Sequence, residues 1–142
     1  MRLWHIDLIP YLPTSQLLAQ WRELNSIFKK QDRHILIDYV YDYSKAYLFE
    51  YSCMVLKEFR NRNFRITSTL NFYNYFYEYS CDARIPLINE YSFKFKEHNH
   101  EYLTICYWNL REKYLRGQKD FTKEVWKKLD EFYKKEMGNA NK

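Results

Sequence analysis

The stretch from Leu17 to Phe28, reading LLAQWRELNSIF, constrains the fold most, because it has the pattern of an amphipathic helix that must bury one stripe. Leu17, Leu18, Trp21, Leu24 and Phe28 fall on one face at helical spacing. Pro13 lies just upstream, and Thr14 or Ser15 can accept a hydrogen bond from the first free amides. Arg22 and Glu23 lie off that stripe on opposite flanks, so neither is needed to fill a core. On composition alone such a pair is a solvated surface contact of little worth to stability.

The rest of the chain offers partners for that helix. Residues 1 to 13 are too rich in proline for a continuous helix and read as an extended arm, with Pro10 and Pro13 restricting their predecessors. Lys29 to His34 is a polar loop, and Ile35 to Val40, whose β-branched content suits a short strand as well as a helix or a loop, stays open. Tyr47, Leu48, Tyr51, Val55 and Phe59 repeat at three and four residues and predict a second helix from Ser44 to about Asn61. It ends in Arg60, Asn61, Arg62 and Asn63, which with Arg65 form a basic turn suited either to a phosphate backbone or to the helix dipole. From Ile66 to Lys96 the chain is dense in Tyr, Phe and Asn with an ambiguous period, either a helix or aromatic loops around Pro86. Glu97 to Arg116 predicts a strong helix with Leu103, Cys106, Tyr107, Leu110 and Tyr114 inward and Gly117 as its stop. Asp120 is then expected to cap a last helix carrying Val125, Trp126, Leu129, Phe132 and Tyr133 inward and its lysines outward, before Gly138. The expectation is an all-α, compact single-domain helical bundle over residues 1–142, with an extended arm over 1–13 and a frayed tail over 137–142.

Composition narrows the partners. The net charge is +5 and aromatics make up 20% of the chain, a combination suited to a polyanion whose bases can stack. Cys53, Cys81 and Cys106 are odd in number and sit in dissimilar mixed aromatic segments, so they read as reduced packing residues, with neither a disulfide nor a metal site expected. No apolar run has membrane length, and Arg2, His5 and Asp7 interrupt the opening apolar residues, which predicts a soluble protein of the cytoplasm. There is no glycine-rich phosphate loop and no Ser-His-Asp or Cys-His signature.

Three segments together carry a resemblance. They are the opening MRLWHIDLIPYLP, the Trp21-Arg22-Glu23-Leu24 centre of the first helix, and Glu97-His98 with Glu101-Tyr102-Leu103 followed by Asn109-Leu110-Arg111-Glu112-Lys113. In order and spacing they resemble the pyrimidine-dimer DNA glycosylases, the endonuclease V-type repair enzymes of phage and their bacterial relatives. The resemblance is best over residues 1 to 60 and 96 to 116 and poor between about 66 and 95.

What the resemblance implies is an N-glycosylase with apurinic-site lyase activity that uses no cofactor and acts, as a monomer, on duplex DNA containing pyrimidine dimers or abasic sites. Its nucleophile would be the α-amine of the first residue, here Met1, with Glu23 stabilising the cationic sugar and imine and moving protons. An α-amine suits this because its ordinary pKa of about 7.7–8.0 leaves a useful neutral fraction, unlike a lysine near 10.4. Arg2 and Arg22 would hold phosphates and His34 would lie near the sugar; Arg60 and Arg62 of the basic turn are further candidates for DNA contact, read from the residues themselves and not from the resemblance. Family members with well-understood chemistry expose a small residue such as Thr after the initiator methionine is removed. Arg2 is bulky, so Met1 is expected to stay and to supply the amine itself, provided it carries no formyl group.

Other readings follow from the same residues. A basic nucleic-acid-binding module could keep this fold without the chemistry, and a protein-interaction domain could use the aromatic middle segment as a surface. His34 is otherwise a loop histidine, His5 can cap or pack, and His98 and His100, two apart at a helix entry, do not share a face for a metal.

Overall fold

The computed structural model describes residues 1–31, 33–77 and 93–140, and Cys81 and Pro86, on which two of the expectations fall, lie outside them. Among the described residues every regular element is helical: α1 (Thr14–Lys30), α2 (Lys45–Asn61), α3 (Thr69–Tyr75), α4 (His100–Leu115) and α5 (Lys123–Ala140), with 3-10 turns at Ile6–Tyr11 and Asp38–Asp42. The all-α class is as expected. The undecided stretch before α2 is a turn leading into the second 3-10 segment, so of its open alternatives the strand is excluded. The chain divides into two units, one of Met1–Leu3 and Ala19–Phe95, the other of Trp4–Leu18 and Lys96–Lys142.

In the first unit, α1 presents Trp21, Leu24, Ile27 and Phe28 as buried residues. Trp21 meets Phe28, Phe59 and Phe72 at ring-centroid distances of 6.0, 6.4 and 6.2 Å. Phe49 and Phe76 complete this aromatic cluster, stacked on Phe72 at 5.7 Å and edge-on to Phe28 at 5.2 Å respectively. The buried stripe departs from the expected one in two ways. Leu18 is 36% exposed, while Gln20 and Asn25 are buried at 0% and 7%. A polar side chain can take a core position when its hydrogen bonds are met, and both amides have partners here.

At the end of α2, Phe64 N–H donates to the Phe59 carbonyl at 2.8 Å and Asn63 adopts φ 60°, so an asparagine in the left-handed region closes the helix where glycine is commonest. The expected basic turn is thus a helix stop. Arg62 turns back to Glu58, Nε to Oε1 2.9 Å. Cys53 and Cys106 are free and buried, and burial pushes the Cys53 thiol up to about 12.

In the second unit, the expected extended arm is wound over Ile6–Tyr11 into a 3-10 turn that includes Pro10. His5 caps it, as one of its two expected roles, with Nδ1 accepting from Asp7 N–H at 3.1 Å. Helix α4 starts three residues later than expected because Asn99, not a residue near Glu97, caps it through Tyr102 N–H at 2.9 Å. His98 therefore sits ahead of the helix, 2% exposed, where its Nδ1 accepts from Ile6 N–H at 3.1 Å. Gly117 at φ 82° ends α4 as its position predicts. Tyr107 stacks on Tyr133 of α5 at 3.8 Å and bonds Asp130, and burial together with that carboxylate pushes its phenol up to about 12. Helix α5 continues through Gly138 instead of stopping there.

The caps of α1 and α5 both differ from expectation. Neither Thr14 nor Ser15 caps α1 with its own oxygen. The Asp120 carboxylate accepts from both the Ser15 amide and its hydroxyl, and α5 is capped by Thr122, whose Oγ1 receives Val125 N–H at 3.3 Å. A carboxylate beside the free amides of a helix start also meets the positive end of the helix dipole. Burial acts to raise the Asp120 pKa, but the hydrogen bonds from Ser15 and Gln118 outweigh it and hold the carboxyl below the ordinary value. A depressed folded-state pKa means the contribution is complete above the unfolded-state value, about 3.9, and is lost as pH falls through the folded-state value. Asp120→Ala is expected to lower stability by about 1–2 kcal/mol at neutral pH. Denaturant midpoints followed into acid should show the gap between wild type and variant closing below about pH 4; a gap that persists unchanged in acid contradicts this role for the charge.

Candidate active site

The site is built on the first residues of the chain and on the part of α1 from Ala19 onward, all within the first unit. Helix α1 places Gln20 and Glu23 three residues apart, one turn along the same flank. Arg2 N–H donates to Glu23 Oε2 across 3.5 Å, a long contact. A second tie is firmer: Gln20 Nε2 donates to the Arg2 carbonyl at 3.1 Å and to Glu23 Oε2 at 3.3 Å. The backbone of the second residue is thus held against the Glu23 carboxylate from both its amide and its carbonyl side. Successive backbone nitrogens are at most about 3.7 Å apart, so the Met1 nitrogen lies within about 7 Å of Glu23 Oε2.

Gln20 is itself anchored. Its Oε1 accepts from the Tyr51 hydroxyl of α2 at 3.0 Å, with Tyr51 1% exposed. Gln20 and Tyr51 were missed as site residues by sequence reasoning. A glutamine next to Trp21 reads as a solvent-facing residue, and Tyr51 reads as one more ring on an aromatic stripe. The available signal was that both fall on core-facing positions of their helices while carrying polar ends.

Beside this carboxylate, on the next face of α1, lies a cleft of about 270 Å³ lined by Arg22, Asn25, Ser26 and Lys29 and, across from them, by Ser68 and Asn71. Its walls are fixed by hydrogen bonds. Trp21 Nε1 donates to the Thr67 carbonyl at 2.8 Å, and Asn71 Nδ2 donates to Asn25 Oδ1 at 3.1 Å. Ser68, at the lip, holds φ 60°, a left-handed conformation that costs a non-glycine residue about 1–2 kcal/mol and that this framework enforces. Two cations and several amides around an open concavity make a site for anionic, hydrogen-bonding groups.

The remaining expected residues fall elsewhere. His34 is exposed in the turn after α1, with Nδ1 accepting from Leu36 N–H at 3.2 Å. Arg60 is half-buried near the end of α2, nine residues from Tyr51, or roughly 14 Å along the helix. Arg62 is engaged with Glu58. His98 and His100 do not converge on a metal position: His98 is committed to the Ile6 amide and His100 Nε2 lies 3.6 Å from Glu136. Among the described residues no helix is long and apolar enough to cross a membrane.

Comparison with known proteins bears on this geometry directly. No curated protein and no solved structure gives a significant match. A family model described as pyrimidine dimer DNA glycosylase matches residues 1–72, a segment that contains the first residues, α1, α2, the Arg2, Gln20, Glu23 and Tyr51 contacts and the residues named around the neighbouring cleft. The α4 motifs that also carried the resemblance lie beyond the matched segment. Because the match extends over half the chain, the protein belongs to the pyrimidine dimer DNA glycosylase family.

Proposed function

We propose that this protein is a DNA glycosylase with apurinic-site lyase activity, acting on duplex DNA at pyrimidine dimers and abasic sites through an imine formed by the Met1 α-amine. The observation that carries the reading is the contact of the Arg2 backbone with Glu23, which keeps the first nitrogen of the chain within about 7 Å of a carboxylate. In the neutral amine, the nitrogen lone pair attacks C1′ of the deoxyribose while the bond from C1′ to the base breaks, its electron pair leaving with the base, which takes up a proton. Loss of a proton from nitrogen frees a lone pair that forms the C=N bond of the imine as the bond from C1′ to the ring oxygen opens, its electron pair going to that oxygen, which takes up a proton. Removal of a proton from C2′ then expels the 3′ phosphate by β-elimination, and water releases the sugar fragment.

Glu23 fits two needs of this sequence. A carboxylate stabilises the positive charge that builds on the sugar and on the imine, and it can accept and return the protons that each step moves. Arg22 and Lys29 in the cleft beside it suit the phosphates that flank an opened nucleotide. A pyrimidine dimer stacks poorly, which lowers the cost of exposing the target sugar.

Glu23→Gln keeps the size of the side chain and removes its charge and proton chemistry. Strand cleavage is expected to fall by roughly 10²–10⁴-fold, with duplex affinity unchanged or slightly higher because one negative charge has gone from a phosphate-facing surface. Full cleavage by the variant means that the carboxylate is structural and that Glu23 is not the catalytic group, whereas a wild-type protein that binds duplex DNA without cutting it favours the nucleic-acid-binding module.

Duplex affinity should fall steeply with salt, since each phosphate neutralised releases counterions. Arg22→Gln is expected to reduce the slope of log affinity against log salt by about 1. Arg62→Gln should change it less, because Arg62 is paired with Glu58 at 2.9 Å. A salt dependence that is flat between low and physiological ionic strength points to a protein partner instead.

A further inference from the structure

We infer that Gln20 is the positioning residue of this active site: its buried side-chain amide, oriented by Tyr51, holds the start of the chain and the Glu23 carboxylate in one fixed relation. The inference rests on the reading of Glu23 as catalytic and goes beyond it, since it concerns what makes that carboxylate and the N-terminal segment act together.

The position invites an apolar residue. Gln20 lies on the buried side of α1 between Leu17 and Leu24 and is 0% exposed. A leucine there would gain burial without a polar group to satisfy, whereas an amide left unmet costs about 1–3 kcal/mol. The amide is instead fully used. Its nitrogen carries two hydrogens, and these go to the Arg2 carbonyl at 3.1 Å and Glu23 Oε2 at 3.3 Å; its oxygen receives the Tyr51 hydroxyl at 3.0 Å.

The orientation is unambiguous. A backbone carbonyl and a carboxylate only accept, so the nitrogen side of the amide faces them, and Tyr51 faces the oxygen. Flipping the amide would set its oxygen against two acceptors. Tyr51 is 1% exposed among the residues of α2, so its hydroxyl is aimed by packing, and it passes that order through Gln20 to both members of the site. Neither Gln20 nor Tyr51 touches substrate in this scheme. Their effect is on where Met1 and Glu23 stand relative to each other, and a small misplacement of reacting groups is costly in rate.

The test uses single-turnover cleavage of an abasic duplex, measured beside duplex affinity and thermal melting on the same preparations. Gln20→Met keeps the length of the side chain and removes its hydrogen bonds. Its cleavage rate is expected to fall on the order of tenfold, the worth of one or two hydrogen bonds that involve a charged partner, with duplex affinity unchanged and melting still cooperative. Tyr51→Phe, which preserves the packing, is expected to show a smaller loss of the same kind. The decisive readout is coupling: Gln20→Met added to Glu23→Gln should slow cleavage no further than Glu23→Gln alone, because Gln20 acts through Glu23. Wild-type cleavage by Gln20→Met, a loss that tracks only the fraction unfolded, or full additivity in the double variant overturns the inference and leaves Glu23 untouched. Full cleavage by Glu23→Gln overturns the reading of Glu23 and the inference with it.

Discussion

Two buried amides in an otherwise apolar stripe of α1 set the rest of the first unit in place. Leu17, Trp21, Leu24, Ile27 and Phe28 give that helix its burial, which is strong but undirected. Gln20 and Asn25 give it direction. Gln20 ties it to Tyr51 and to the backbone of Arg2, and Asn25 donates to the Trp21 carbonyl at 2.9 Å while accepting from Asn71 of α3. An aromatic cluster can slide or rotate at modest cost, whereas a satisfied amide inside it fixes a single register. The carboxylate on one flank of α1 and the basic cleft on the next are therefore set by the same helix, which is held at both positions by hydrogen bonds and between them by Trp21.

That arrangement divides labour on one short segment. Glu23 is half-buried and accepts from the Arg2 amide and from Gln20, while Arg22, its neighbour in sequence, is exposed and lines the cleft with Lys29. Adjacent residues on a helix point about 100° apart, so one helix presents a carboxylate on one face and two cations on the next. The second unit has its own logic of buried polar groups. Asp120 supplies the missing acceptor for the start of α1, and His5 and His98, their rings 5.5 Å apart, each accept a backbone amide on Nδ1.

Much of this was legible in the sequence, and the exceptions share a cause. The helices α1, α2, α4 and α5 follow from apolar spacing, and Gly117 marks the end of α4, because these signals are local. The cap of α1 was misread because its acceptor, Asp120, lies 105 residues away, and no local pattern encodes a distant carboxylate. The arm was read as extended because proline excludes a continuous α-helix, yet a 3-10 turn tolerates Pro10. At the candidate site, Glu23, Arg2 and Arg22 stood out through resemblance, whereas Tyr51 reads as one more ring on its stripe and the burial of Gln20 and Asn25 was hidden by the rule that polar residues face water. His98 was hidden in the same way: it reads as a polar helix start and is a buried acceptor.

The central claim is that the chemistry belongs to the amine at the start of the chain, held beside Glu23. It is tested most directly by reducing the intermediate with borohydride on an abasic-site duplex, using protein with a free N-terminus, and mapping the trapped residue by peptide mass spectrometry. The account predicts one covalent adduct, on the peptide that contains Met1, and its loss when the amine is acetylated. An adduct on a lysine, or trapping that survives acetylation of the N-terminus, would contradict it.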